Sequence, residues 1–251
     1  MIKIKTPEEI EIMAEGGKKL AQIKNELRKM ILPGAIPQDL DKKAEDLVHD
    51  LGGEPSFKMV KNYHWTTCIN INDGVVHGIP TKLPFRNGDI VKVDVGIFYK
   101  GFHNDSAFSA PVGEIPEKTK DFLDAGKEAL KKSIAQAQVG NNIAQISKAM
   151  EESLTARGYT PVQDLTGHGV GRNLHEDPQI PCFWEGPVEV SPEIPEGAVL
   201  AIEVIYVQGE NDLILSGEDG WTISTRDGKI AALFEETIVP IKNGPPRILT
   251  A

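Results

Sequence analysis

The stretch Ile90-Val91-Lys92-Val93-Asp94-Val95-Gly96 decides the predicted fold, because it reads as an apolar β-strand that carries a carboxylate at Asp94. The stretch Val199-Leu200-Ala201-Ile202-Glu203-Val204-Ile205 repeats this pattern 109 positions later, with Glu203 in the acidic position. A strand that buries its side chains has no place for a lone charge, so each carboxylate needs a partner or a metal ion. The two stretches therefore predict a sheet that carries acidic ligands into its interior.

Three more residues of ligand type lie in similar settings. Asp105 lies in the next β-rich run, Glu235 lies in the last one, and His168 lies between glycines that allow unusual backbone angles and close approach to an ion. Four carboxylates and one imidazole suit divalent Mn, Fe, Co or Zn. Two such ions about 3.5–4 Å apart can share a bridging carboxylate and activate a water. Any one of these acids alone could be a surface residue, but five in matched settings predict a two-metal site.

The composition narrows the class of protein without naming a function. The chain has 251 residues, with 27 basic and 37 acidic side chains and a net charge of −10. The basic residues form no dense run, so no specific nucleic acid is expected as a partner. The cysteines, Cys68 and Cys182, are too few for a disulfide framework. Residues 1–9 contain no apolar signal region, and no stretch approaches about 18 uninterrupted apolar residues, so we expect a cytoplasmic protein that does not enter a membrane.

The chain reads as two halves with the same order of elements. Thr6-Pro7-Glu8-Glu9 is typical of a helix start, and two helices are predicted before residue 53, followed by strands at 66–71, 90–99 and 102–112. After Pro116 two helices and a set of strands follow again. Gly34 and Gly140 are 106 positions apart, as are Pro55 and Pro161.

Chance matching of common glycines is the alternative explanation of this repeat. The interpretation we prefer is an α+β fold of two pseudo-symmetric helix-helix-sheet halves around a central antiparallel sheet. We expect one domain over residues 1–251, with pseudo-repeats at about 1–112 and 113–251.

The spacing of the acids agrees with this architecture. Asp94 and Asp105 lie on the two arms of a predicted hairpin, and Glu203 and Glu235 lie on a strand and on the last hairpin arm.

Two histidines need separate weighing. His77 and His175 each precede a turn at similar depth in their own half, where they could flank a substrate amide or simply serve as loop donors. His49, His64 and His103 lack such settings and are interpreted as structural.

Eight short motifs match one known family. They are Val76-His77-Gly78-Ile79-Pro80, Val93-Asp94-Val95-Gly96, Asn104-Asp105, Gly167-His168-Gly169-Val170-Gly171-Arg172, Leu174-His175-Glu176, Ala201-Ile202-Glu203, Asp219-Gly220-Trp221-Thr222 and Phe234-Glu235. On these motifs the chain resembles, over nearly its whole length, the type I methionine aminopeptidases of the pita-bread metallopeptidase family. Only 35 positions separate His168 from Glu203, which leaves no room for the helical subdomain that marks the type II enzymes.

The resemblance implies a ligand set and a nucleophile. Asp94 would chelate one metal ion, Asp105 and Glu235 would bridge two, and His168 and Glu203 would complete the shell of the second. The water between the ions is the implied nucleophile, since metal ions lower its pKa far below the bulk value.

The resemblance also implies roles around the scissile bond. Glu203 would accept and relay the proton of that water, His77 would lie near the scissile nitrogen, and His175 would hydrogen-bond the carbonyl oxygen as charge develops on it. A pocket for the methionine side chain would draw on Phe57, Val60, Tyr63, Cys68, Leu174 and Trp221.

The implied function is removal of the N-terminal methionine from nascent chains, with the ribosome as a candidate meeting place, when the second residue is small. We expect a monomer. A related pita-bread peptidase cleaving Xaa-Pro bonds is the second interpretation, although those enzymes usually carry a large N-terminal domain. A binding module without metal is the third, although such a module is expected to have lost ligands.

The chain departs from the family pattern beside its ligands. The family usually has His where Glu236 stands, Gln where Leu233 stands, Pro where Val204 stands, and often Cys where Val76 stands.

Overall fold

The computed structural model describes residues 1–251, which form four helices and thirteen strands. The helices are α1 Pro7–Lys29, α2 Pro37–Asp50, α3 Glu117–Gln136 and α4 Ile143–Thr155, with 3₁₀ turns at Phe57–Met59 and Val188–Val190. The strands are β1 Glu54–Pro55, β2 Thr67–Ile71, β3 Gly74–Val76, β4 Ile90–Tyr99, β5 Phe102–Pro111, β6 Thr160–Pro161, β7 Thr166–Gly169, β8 Glu176–Pro181, β9 Leu200–Val207, β10 Leu213–Leu215, β11 Ile223–Thr225, β12 Ala231–Val239 and β13 Arg247–Ile248.

Helix α1 begins where its sequence predicts it. The backbone N–H of Glu9 donates to Thr6 Oγ1 and the backbone N–H of Thr6 donates to Glu9 Oε2, which completes a capping box. Leu20, Ile23 and Leu27 are fully buried and pack the helix against the first sheet. No helix combines the length and the apolar character that a membrane span requires.

The two halves repeat the same strand pairings. In the first half β4 pairs with β1, β2 and β5; in the second half β9 pairs with β6, β7 and β12. Pro55 faces Ile97 across β1 and β4, while Pro161 faces Tyr206 across β6 and β9, so partners recur at offsets of 106 and 109 positions. The predicted pair of pseudo-symmetric helix-helix-sheet halves is confirmed.

The predicted central sheet differs from the structure at its middle. The ladders form separate sheets of four, three and six strands, and β5 lies beside β12 without pairing its backbone to it. Hydroxyl groups stand between these two strands instead: Thr237 Oγ1 donates to the carbonyl of Asp105, and Ser109 Oγ donates to that of Leu233. We call this junction between the halves, formed by β5 and β12, the seam.

A small sheet was not predicted. Strands β10, β11 and β3 form it, and the pairing of Ile223 with Val76 joins the second half to the first. His77 follows directly after β3 with a φ of 57°, a left-handed conformation that histidine adopts more readily than most residues.

Candidate active site

One cavity of about 170 Å³ lies between the two halves. It is lined by all thirteen residues that the sequence analysis selected and by Val76. Acids and histidines lie at one end and apolar side chains at the other. The lining residues are Asp94, Asp105, His168, Glu203, Glu235, His77, His175, Phe57, Val60, Tyr63, Cys68, Leu174, Trp221 and Val76.

The β4–β5 hairpin brings Asp94 and Asp105 to one face of the sheet. Gly96 is the register partner of Asp105, and Asp94 lies two residues before Gly96 on the same face. The pair is therefore diagonal across the strands, a separation that side chains can span.

The β9–β12 pair places Glu203 and Glu235 directly opposite each other, as register partners. Cβ atoms of such partners lie about 4.5–5.5 Å apart, and like charges in that arrangement destabilise a sheet unless something neutralises them. The two strand pairs thus bring four carboxylates together in the cavity.

His168 enters the site from β7. Its Nδ1 lies 2.9 Å from the carbonyl oxygen of Gly169, so Nδ1 carries the proton and Nε2 is left as the free nitrogen. That Nε2 lies 3.5 Å from Glu203 Oε1. A neutral imidazole with its other nitrogen held by a carbonyl has the form that metal-binding histidines take.

The glycines around His168 serve a different purpose from the one predicted. Gly167 and Gly169 have no left-handed backbone, and a Cβ on Gly167 would lie 2.6 Å from the carbonyl oxygen of Ala201. One on Gly169 would overlap the carbonyl of Asp177. The glycines therefore let neighbouring strands approach, and the expectation of unusual backbone angles was wrong.

Burial shifts the pKa of every acid in the cluster upward, and repulsion adds to the shift of three of them. Burial raises the pKa of Asp105 to about 7. Burial also raises the pKa values of Asp94, Glu203 and Glu235 well above their ordinary range, and the charge of Asp105 raises each of them further. Burial, with His175 nearby, lowers the pKa of His168 to about 4, so this ring stays neutral at pH 7. Ionising these carboxyls together would place several negative charges close to one another, a repulsion that a bound cation would relieve.

The donor set fits a divalent metal ion. Ligand atoms of Asp105, His168 and Glu235 all lie within 4.8 Å of one another, and all three residues are buried. Asp94 Oδ1 and Glu235 Oε1 are buried without a hydrogen-bond partner, which is costly for an oxygen that nothing else satisfies. Hard and borderline oxygen and nitrogen donors with unused lone pairs are what such ions bind.

His77 and His175 line the same cavity from opposite halves. Burial lowers the pKa of both rings, and the ring centroids of His175 and His168 lie 4.5 Å apart. Gly78 lets the segment after His77 lie close against β2, because a Cβ there would lie 2.6 Å from the carbonyl oxygen of Ile69. Both histidines are neutral at pH 7 and can donate a hydrogen bond.

The apolar end of the cavity is a packed aromatic cluster. Phe57, Tyr63, Cys68 and Leu174 form its buried part, and the ring of Trp221 meets that of Tyr63 edge-on with centroids 5.1 Å apart. The hydroxyl of Tyr63 donates to the carbonyl of Thr67, so the ring faces the cavity with its polar end satisfied. The cavity can therefore accept an unbranched apolar side chain beside a polar reaction centre.

Two groups near the site received no role from the sequence. Glu176 is buried and forms ion pairs with Lys5 at 2.8 Å and Lys3 at 3.5 Å, which anchors the segment that carries His175. The position of Glu176 directly after His175 in the motif was the one sequence feature that could have indicated this anchoring role. His103 does not line the cavity; its Nδ1 lies 2.6 Å from Ser56 Oγ, in keeping with the structural interpretation.

Comparisons with known proteins agree with this geometry. The model of metallopeptidase family M24 matches residues 11–240. A protein of Clostridium perfringens named methionine aminopeptidase is 37% identical over 250 residues, covering 100% of this chain and 99% of that one. Methionine aminopeptidase 1 of Bacillus subtilis is 38% identical, with 97% of each chain covered.

Solved structures give the same result. A methionine aminopeptidase from Thermotoga maritima superposes with a TM-score of 0.95 at 39% identity, covering 100% of this chain and 99% of that one. The acid-histidine cluster, the fold and these matches agree, and the chain belongs to metallopeptidase family M24.

Proposed function

We propose that this protein removes N-terminal methionine from peptides by metal-dependent hydrolysis. The observation that carries this proposal is the cavity in which the cluster of Asp105, His168 and Glu235 adjoins a set of packed aromatic and apolar side chains. Relatives named methionine aminopeptidase match over essentially the whole length of the chain, which supports the same activity.

Two divalent ions, Mn, Fe, Co or Zn, are proposed as cofactors. Asp94 would bind one, His168 and Glu203 would bind the other, and Asp105 and Glu235 would bridge them. When bound, the ions would supply Lewis acidity, which makes a hydroxide nucleophile available near neutral pH.

The chain's own groups would manage the proton and the substrate. Glu203 lies on the cavity wall beside His168 and would accept the proton of the attacking water. His175 would donate to the substrate carbonyl oxygen, where negative charge develops, and His77 would hydrogen-bond near the scissile nitrogen. The lowered pKa of each histidine keeps its ring neutral and able to donate without adding a charge.

The apolar end would hold the methionine side chain. A flexible thioether makes favourable contacts with the edges and faces of aromatic rings, and Phe57, Tyr63 and Trp221 present these on the cavity wall. The residue after methionine would then lie against the acids and His77, so a small second residue is required.

The cellular setting follows from the substrate class. The natural substrates would be the N-termini of nascent chains, which the protein would bind in the cytoplasm and at the ribosome. We propose that it acts as a monomer. We also propose that the two halves form one domain, since the largest core cluster takes four residues from the first half and the rest from the second; the four are Val75, Val76, Ile90 and Ala107.

The Xaa-Pro interpretation has weaker support. A prolidase from Pyrococcus furiosus superposes with a TM-score of 0.79 at 24% identity, and this chain covers only 65% of it. That likeness shows the fold alone.

A peptide panel tests the proposal. The protein is stripped with a chelator, reloaded with Mn, Fe, Co or Zn, and assayed on Met-Ala-Ser, Met-Leu-Ser, Leu-Gly-Gly and Ala-Pro-Ala. Cleavage of Met-Ala-Ser alone, only after reloading, is expected. Preferred cleavage of Ala-Pro-Ala would establish the Xaa-Pro activity instead, and full turnover by the stripped protein would exclude the metal-dependent one.

A further inference from the structure

The two strands of the seam carry two of the candidate metal ligands. Asp105 is on β5 and Glu235 is on β12, the two strands that lie side by side without a backbone ladder. The separation of these two carboxylates is therefore set by whatever bridges the seam.

Hydroxyl groups of Thr237 and Ser109 span the seam on either side of the ligands. Thr237 Oγ1 accepts from the backbone N–H of Asp105 at 3.1 Å and donates to its carbonyl at 2.7 Å. Ser109 Oγ accepts from the N–H of Leu233 at 2.9 Å and donates to its carbonyl at 2.8 Å. Each hydroxyl takes the place of one direct backbone pair and holds the strands farther apart than a ladder would.

Between these two bridges lies a buried ion pair. Lys24 of α1 donates to both carboxylate oxygens of Glu236 at 2.8 Å and to Ser106 Oγ at 2.6 Å. Only 5% of the Lys24 side chain and 17% of the Glu236 side chain are exposed. Thr250 donates its hydroxyl to the same carboxylate.

Ser106 connects this pair to both ligand strands. Its hydroxyl donates to the backbone carbonyl of Glu235 at 2.7 Å, and its backbone N–H donates to Asp105 Oδ1 at 3.0 Å. Since Ser106 Oγ also accepts from Lys24, the ammonium turns the hydroxyl proton away from itself, toward the nearer Glu235 carbonyl and the Glu236 carboxylate at 3.0 Å. A movement of Lys24 would thus pass through Ser106 in two ways, to the backbone of Glu235 through the hydroxyl and to the carboxylate of Asp105 through the backbone N–H.

Stability alone is a weak reason for such a pair. Desolvating an ammonium and a carboxylate offsets most of their attraction, and apolar residues of the same volume often serve as well. A fixed geometry at the seam is a benefit that apolar residues would not supply.

We propose that Lys24, acting through Ser106 and Glu236, is a positioning residue that sets the separation of Asp105 and Glu235 for metal binding. This inference rests on the proposed function, because it takes these two carboxylates as shared ligands. It assigns a role in ion binding to a helix on the opposite side of the sheet from the cavity.

The test measures metal binding rather than turnover. Calorimetric titration of chelated protein with Co²⁺ gives the affinity of each equivalent, and the visible absorption of bound Co²⁺ reports its coordination geometry. The variants are Lys24→Met, which keeps an unbranched chain but removes the ammonium group, Ser106→Ala, which removes only one hydroxyl, and the double variant. Leu27→Ala is the matched control, since Leu27 is fully buried on the same helix and belongs to an apolar core cluster that contains neither Ser106 nor Glu236.

Each single variant should weaken the second Co²⁺ equivalent by about 10–100-fold and change its absorption spectrum. The double variant should lose no more than either single variant, because both interrupt one connection. Leu27→Ala should lower the melting temperature and leave Co²⁺ affinity and spectrum unchanged.

Three results would overturn the proposal: unchanged Co²⁺ affinity in folded Ser106→Ala and Lys24→Met, additive losses in the double variant, or an equal loss in Leu27→Ala. If Lys24→Met does not fold, Ser106→Ala decides alone. Failure of the wild-type protein to bind Co²⁺ at all is a distinct outcome, which would remove the proposed function and this inference with it.

Discussion

Asp105 and Glu235 are residues whose charge matters more than their size. Both are almost fully buried, and the charge of Asp105 raises the pKa values of Asp94, Glu203 and Glu235. A neutral amide of the same shape would therefore relieve repulsion in the metal-free protein while removing a ligand.

Asp105→Asn and Glu235→Gln should each abolish Met-Ala-Ser cleavage and tight Co²⁺ binding, yet raise or maintain the melting temperature of the chelated protein. Calorimetry and thermal denaturation measure these effects separately. Glu185→Gln, at an exposed acid, is the control and should change neither. Retained tight binding in both variants would exclude them as ligands.

His175 is expected to act on the transition state rather than on the metal. His175→Ala should lower kcat by about 10²–10³-fold, the usual loss when one donor to a developing oxyanion is removed, with little change in bound metal. Steady-state kinetics and metal analysis of the same preparation decide the matter. Loss of a metal equivalent in this variant would make His175 a ligand instead.

Among the elements, the β4–β5 hairpin depends on the two residues at its tip. Lys100 and Gly101 have φ values of 48° and 91°, as a two-residue turn of the I′ type requires. Lys100 pairs with Glu15 at 2.9 Å, but both side chains are 55% exposed, so this pair adds little to stability.

Gly101→Ala should cost about 1–2 kcal/mol, since nothing lies within 4 Å of the added methyl and only the left-handed backbone opposes it. Lys100→Asn should stabilise the hairpin, because asparagine tolerates that backbone and Asn-Gly suits the turn. Melting temperatures of the two variants should therefore move in opposite directions, with peptide cleavage unchanged. A gain in stability from Gly101→Ala would contradict the assigned turn.

Whether an element can be predicted depends on how far apart in the sequence the residues lie that stabilise it. The four helices and strands β4, β5 and β12 follow from caps, breakers and apolar runs within a few residues, and they were predicted correctly. Strands β10 and β11 have three residues each, and a run that short shows no periodicity by which a strand could be recognised, although β10 is apolar throughout. Their pairing depends on partners far away in the chain.

The candidate site shows the same division. Motif residues such as Asp94 and His168 could be selected from their local settings, and they do meet in one cavity. Lys24 and Glu236 are 212 positions apart, and each alone reads as an ordinary exposed charge. The seam could not be predicted either, because serine and threonine in a strand do not indicate whether they replace a ladder.

For the whole molecule, pH and metal should act together on stability. The raised pKa values mean that the folded, metal-free protein prefers protonated carboxyls. The stability that these groups contribute is greatest below their ordinary pKa of about 4, and it is lost as pH rises through about 7, the folded pKa of Asp105. Metal binding needs the ionised forms and therefore releases protons.

The difference in melting temperature between Co²⁺-loaded and chelated protein should accordingly increase from pH 6 to pH 8. His168 titrates near pH 4 and does not contribute in this window. Calorimetry in buffers of different ionisation enthalpy should show proton uptake by the buffer at pH 6 and less at pH 8. A difference that stays constant across the range would mean that the carboxyls are already ionised without metal.

The division of the candidate metal ligands between the two halves has a consequence for an interrupted chain. Asp94 and Asp105 precede the connection at residues 112–116, while His168, Glu203 and Glu235 follow it, so fragments 1–113 and 114–251 would each hold an incomplete ligand set. Tight ion binding would then be a property of the reassociated pair and of neither piece. Metal affinity could thus report fragment complementation directly, because the bound ion would link two polypeptides that no peptide bond joins.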